Sequence, residues 1–155
     1  MELAVAEALW VLGELPREDL PAVAATAMEV GLDSPSLREL AGLTPPELDT
    51  GWDRFEAALQ ELGRPRPDTA TAIRRCAVTV AQGVVAGDVQ PHAGSRRMWK
   101  LLGSRSEVRD SPELWERIGP FIGLASEWEN VPSAREEIDR QILAQSEAVV
   151  RDWRE

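Results

Sequence analysis

Apolar residues recur along this chain at steps of three and four, in runs cut by glycine and proline. That period marks one face of a helix; a half-buried strand would alternate every second residue. Leu48, Trp52, Phe55, Leu59 and Leu62 follow it, as do Ile73, Cys76, Ala77, Val80 and Val84. Leu114, Ile118, Phe121, Ala125 and Trp128 form a third stripe, and Ile138, Ile142, Gln145, Val149 and Trp153 a fourth.

The punctuation places the ends. Helices are expected over Leu3–Leu12, closed by Gly13, and over Pro21–Val30, closed by Gly31. Ser34-Pro35 opens a short helix that ends at Gly42. Thr44-Pro45-Pro46-Glu47 has the form of a capping box, starting a helix that runs to Leu62 before Gly63. Asp68 can cap a helix to about Ala86, which Gly87 ends, and Pro91 begins another to Leu102. Residues 103–110, GSRSEVRD, read as a mobile loop. Ser111-Pro112 restarts a helix that Pro120 should kink or split, and the last helix runs from Pro132 to about Trp153. The expected fold is all-α: one domain over residues 1–155, a compact bundle of seven or eight short to medium helices.

Composition agrees. The chain has no Tyr and two Phe, and its 16 Arg against one Lys fit the codon bias of a GC-rich bacterial genome. A single cysteine, Cys76, allows no internal disulfide and suits a reducing, cytoplasmic setting. The first residues lack a basic region and carry Glu7, so a signal peptide is not expected. No apolar run is long enough to span a membrane.

Net charge is −10 and unevenly spread: residues 1–62 carry −10, residues 63–111 carry +5 and residues 112–155 carry −5. Either the basic middle sits against the acidic ends, or an acidic surface steers a basic partner onto itself. A nucleic-acid binder would show a domain-wide basic bias, which is absent.

The most individual segments are Gly87-Asp88-Val89-Gln90-Pro91-His92-Ala93-Gly94, followed by Trp99, and Phe121-Ile122-Gly123-Leu124-Ala125-Ser126-Glu127-Trp128. The first reads as a helix stop followed by a helix start, whose exposed amides and nearby Arg96 and Arg97 could also hold an anion. The two segments are expected to pack together, with Gly94 and Gly123 allowing close backbone approach between Trp99 and Trp128. Gly123→Leu should then overpack the contact. Trp99, Trp128, Arg96, Arg97 and His92 are thus the candidate interface or pocket residues. One His and one Cys do not suffice for an ordinary structural zinc site within one chain, and Cys76, on an apolar stripe, reads as a buried thiol.

Together with DSPSLRELAGL (33–43) and AALQELGRP (57–65), these segments resemble a group of small bacterial helical proteins. That group shares a Gly-acidic-x-x-Pro-x-x-Gly element before a Trp, then Phe-x-Gly-Leu-Ala-Ser-Glu-Trp. The resemblance spans about residues 33–150 and implies no established activity. His92 stands where an aromatic would be expected.

Glu113 and Glu116 form E-x-x-E, and Glu136 and Asp139 form E-x-x-D. This resembles the magnesium-binding pattern of the all-α nucleotide pyrophosphohydrolases of the MazG type. The resemblance implies a magnesium cofactor held by these four carboxylates, with Arg96, Arg97 or Lys100 neutralising phosphate. Residues three apart share a helix face, and paired helices can clamp a hard cation. That family sets its acids within an apolar helix, whereas Glu113 and Glu116 flank the stripe here.

No catalytic constellation is spelled out. The leading expectation is a non-catalytic binding protein with no cofactor, acting through a macromolecular protein partner. Its most specific form is an immunity-like or antitoxin-like neutraliser of a basic protein, using the acidic helices at 45–62 and 132–155. The magnesium-dependent hydrolase and a small-molecule pocket lined by Trp99 and Trp128 are the alternatives.

Overall fold

Small polar side chains begin the helices where the sequence places them. Ser34 Oγ accepts from the Leu37 amide at 3.2 Å, Asp68 from the Thr71 amide at 2.7 Å, and Ser111 from the Leu114 amide at 3.4 Å. Each satisfies one of the donors that a helix start leaves unpaired. Glycines close four helices with positive φ: Gly13 at 72°, Gly31 at 88°, Gly63 at 65° and Gly87 at 80°. These are left-handed conformations that a side chain disfavours.

The computed structural model describes residues 1–153. The last two positions of the expected acidic face at 132–155 therefore lie outside the described residues. Nine α-helices and no strand occur among the described residues: α1 (Leu3–Val11), α2 (Leu20–Glu29), α3 (Pro35–Ala41), α4 (Gly51–Glu61), α5 (Thr69–Val85), α6 (Pro91–Met98), α7 (Ser106–Asp110), α8 (Pro112–Asn130) and α9 (Arg135–Trp153). The all-α expectation holds. The chain forms two compact units, Met1–Ala72 and Ile73 onward.

In the first unit α3 packs against both α2 and α4. Leu20, Val23, Leu37, Leu40, Phe55 and Leu59 lead its core, and Trp10 meets Phe55 edge-on at 5.7 Å. The helix expected from Pro45 begins instead as a 3-10 segment, Pro45–Thr50. Two prolines without N–H groups open that turn. The capping residues do engage: the Thr44 amide donates to the Glu47 carboxylate at 2.9 Å and the Thr44 hydroxyl to the same oxygen at 2.5 Å. The two bonds from Thr44, the hydroxyl's first, hold the Glu47 carboxyl below its usual range. Buried Glu7 forms a bidentate ion pair with Arg64, whose second contact is 3.0 Å.

In the second unit α8 packs against α6, α7 and α9. Three expectations change here. The stretch read as a loop contains α7, because Val108 is fully buried and anchors it. The helix expected to reach Leu102 leaves α geometry at Trp99 and continues as a π turn to Gly103. Finally, Pro120 does not split α8, which is one helix from Pro112 to Asn130. Pro120 removes the donor that the Glu116 carbonyl would use. In the same turn, the Arg117 carbonyl accepts from Gln145 Nε2 at 2.9 Å, tying α9 to the disturbed stretch. Among the described residues no helix is long and apolar enough to cross a membrane.

Candidate functional site

The two individual segments meet in the second unit. The Ser95 hydroxyl, fully buried on α6, donates to the Phe121 carbonyl of α8 at 2.6 Å. One turn earlier on α6, the His92 imidazole stacks on the Trp128 indole, with ring centroids 3.8 Å apart and planes 9° from parallel. The Arg135 guanidinium lies 4.0 Å from the same indole, and Arg135 Nε donates to the Trp128 carbonyl at 3.1 Å. Trp128 thus has both an imidazole and a guanidinium against its ring, the latter a cation–π arrangement. His92 Nδ1 and Trp128 Nε1 are buried with no hydrogen-bond partner among the described residues.

Glu129 links this stack to a groove. Its Oε1 lies 3.9 Å from His92 Nε2 and 3.3 Å from Arg96 Nη1. Arg96, Arg97, Trp99, Lys100 and Glu129 line the groove, whose volume is about 530 Å³. Trp99 is 41% exposed, much as Trp115 is at 43%. Trp99 rests against Gly103, where an added Cβ would come within 2.9 Å of its Cδ1. Arg97 and Lys100 are exposed and have no ion pair among the described residues.

The structure therefore brings together all five expected residues, in two roles. Arg96, Arg97 and Trp99 line the groove, while His92 and Trp128 form the packed stack behind Glu129. Glu129 and Arg135 are the residues the sequence reading missed. Each is one charge among many on its helix, and nothing in the spacing marks it. The expected role of Gly123 is overturned. It is exposed, and a Cβ added there would meet nothing within 4 Å. Gly94 does permit a close approach, but to Val84 of α5, whose Cγ2 would lie 2.2 Å from an added Cβ.

The four carboxylates of the magnesium pattern sit on α8 and α9. Glu113 pairs with Arg74 at 3.0 Å and Glu116 with Arg117 at 3.1 Å. Glu136 is exposed, and Asp139 is half-buried with Oδ1 unpartnered among the described residues. Among the described residues no three His, Cys, Asp or Glu side chains are grouped to hold a metal ion. Cys76 is buried on α5.

The acidic first unit offers a different surface. Asp53, Glu56 and Gln60 are exposed along α4 at steps of three and four, which places them on one face. Arg54, the only cation of α4, pairs with Glu39. Asp53 and Glu56 have no cationic partner among the described residues. No protein-family model, curated protein or solved structure matches this chain.

Proposed function

We propose that this chain is a non-catalytic, cytoplasmic binding protein that acts through a basic protein partner, as an immunity-like or antitoxin-like neutraliser does. The observation that carries the reading is the exposed acidic pair Asp53 and Glu56 on α4, although Arg64 and Arg66 line the same cleft as Glu56. The one cation of α4 is drawn aside to Glu39, while Asp53 and Glu56 stay exposed and unpaired among the described residues. In the adjoining 3-10 turn Glu47 is a further carboxylate, while Asp49 is paired with Arg17 at 2.5 Å. A face of one sign steers a partner of the other and sets the rate of encounter more than the final affinity. Such attraction is screened over about 8 Å at physiological ionic strength.

The test is capture from a lysate of the source organism at low and high salt, comparing the native chain with Asp53→Lys/Glu56→Lys. A basic protein should be retained at low salt by the native chain. It should be lost at high salt and by the variant. A partner held equally well by the charge-reversed chain, or none at either salt, would overturn the reading.

A further inference from the structure

We propose that the Trp99 groove of the second unit is a binding site for a small ligand joining a flat aromatic ring to a phosphate-type anion, the chemistry of a nucleoside phosphate. The chain as a whole carries −10 and repels anions, so an anion site needs cations gathered locally. The groove supplies them: three cations stand against the single carboxylate of Glu129. Arg96 and Arg97 come from the end of α6 and Lys100 from the π turn that follows, and all three line the same groove. Their roles differ. Arg96 is engaged by Glu129 at 3.3 Å. Arg97 and Lys100 have no ion pair among the described residues and are open to neutralise an incoming anion.

Trp99 supplies the second half of the recognition. Trp99 is 41% exposed, lines the groove with these cations, begins the π turn and rests against Gly103. Single π turns recur at functional sites, because the wider turn resets which side chains share a face. A base stacks on such an indole without regard to sequence, and a cation beside the ring strengthens the contact. Glu129 adds an acceptor at the rim for a ring N–H. The volume, about 530 Å³, lies in the range of small-molecule sites. No residue of α4 takes part, so the inference stands independently of the protein partner.

The experiment is calorimetric titration of the full chain with ADP, adenosine and pyrophosphate at low salt. ADP should bind, with adenosine and pyrophosphate each at least about tenfold weaker, because each lacks one half of the recognition. Arg97→Gln/Lys100→Gln and, separately, Trp99→Leu should each weaken ADP about tenfold or more. These side chains are exposed, so far-ultraviolet dichroism should be unchanged, and Arg140→Gln/Arg151→Gln on α9, both exposed, controls for general charge. No binding of ADP overturns the proposal. Pyrophosphate as tight as ADP removes the ring, and adenosine as tight removes the anion. Equal loss in the control variant shows a non-specific charge effect and overturns the site.

Discussion

Val84 and Gly94 meet at a point where no further atom fits: a Cβ on Gly94 would lie 2.2 Å from Val84 Cγ2. Both residues are buried, and Val84 is β-branched, with little freedom to turn its methyl aside. Gly94→Ala gains helix propensity of about 1 kcal/mol and still loses overall. The expected net cost is about 1–3 kcal/mol in urea unfolding, the usual penalty of overpacking. Val84→Ala in the same chain should relieve part of it. The double variant should therefore be more stable than the sum of the two single losses predicts. Strict additivity would show that the two positions do not press on each other.

Gly123 should behave in the opposite way. It lies inside α8, exposed, with nothing within 4 Å of an added Cβ. A glycine there costs backbone entropy and contributes no contact. Gly123→Ala should stabilise the protein by about 0.5–1 kcal/mol. A loss of stability in the same urea experiment would mean that the position is packed after all.

These two glycines show where the sequence stopped being legible. Gly13, Gly31, Gly63 and Gly87 announce themselves, because each follows an apolar run and ends a helix in a conformation that favours glycine. Gly94 and Gly123 both sit inside helices, and only the packing around each, with Val84 against Gly94 and open space at Gly123, separates one from the other. Ser34, Asp68 and Ser111 were readable as caps because capping is local chemistry. Helix α7 was not, since its one fully buried anchor, Val108, stands in an otherwise polar stretch. The candidate site was half legible. His92, Arg96, Arg97, Trp99 and Trp128 drew notice as a motif, but Glu129 and Arg135 join them only through tertiary geometry.

A pH prediction rests on Glu61, at the end of α4. Its carboxylate accepts from the Ser36 amide at 3.0 Å and the Ser36 hydroxyl at 2.7 Å, at the start of α3. The Ser36 amide first, then the Ser36 and Ser34 hydroxyls, lower its pKa from 4.5. A carboxyl depressed in the folded state adds stability that is present above its unfolded pKa and is lost as pH falls through the folded one. Glu61→Gln should therefore be less stable than the native chain at neutral pH. The gap should narrow as the solution is acidified below 4.5. A gap independent of pH between 7 and 3 (roughly the span across the carboxylate range) would show that charge plays no part.

The buried pair of Glu7 and Arg64 gives the most asymmetric prediction. The Glu7 side chain is 3% exposed and that of Arg64 33%, although the two share a bidentate contact. Their positions are 57 residues apart, and the contact raises the Arg64 pKa, chiefly through the hydrogen bond to Glu7. Removing either partner is not equivalent. Arg64→Ala removes the bidentate cation from a nearly fully buried carboxylate, which keeps a further contact of its own, and breaking a buried pair this way costs about 3–5 kcal/mol. The partial exposure of Arg64 means that solvent already screens the pair, which places the expected loss near the lower end, about 3 kcal/mol. Glu7→Leu leaves a guanidinium that can turn to water, so its loss should be smaller, about 1 kcal/mol, as for a hydrogen bond removed. With both partners made apolar, Glu7→Leu/Arg64→Leu should recover most of the stability that Arg64→Ala loses, since no charge is left buried. Urea midpoints of the three variants decide the matter. Equal losses in the two single variants would mean that the pair acts through packing of its long side chains and not through the burial of charge.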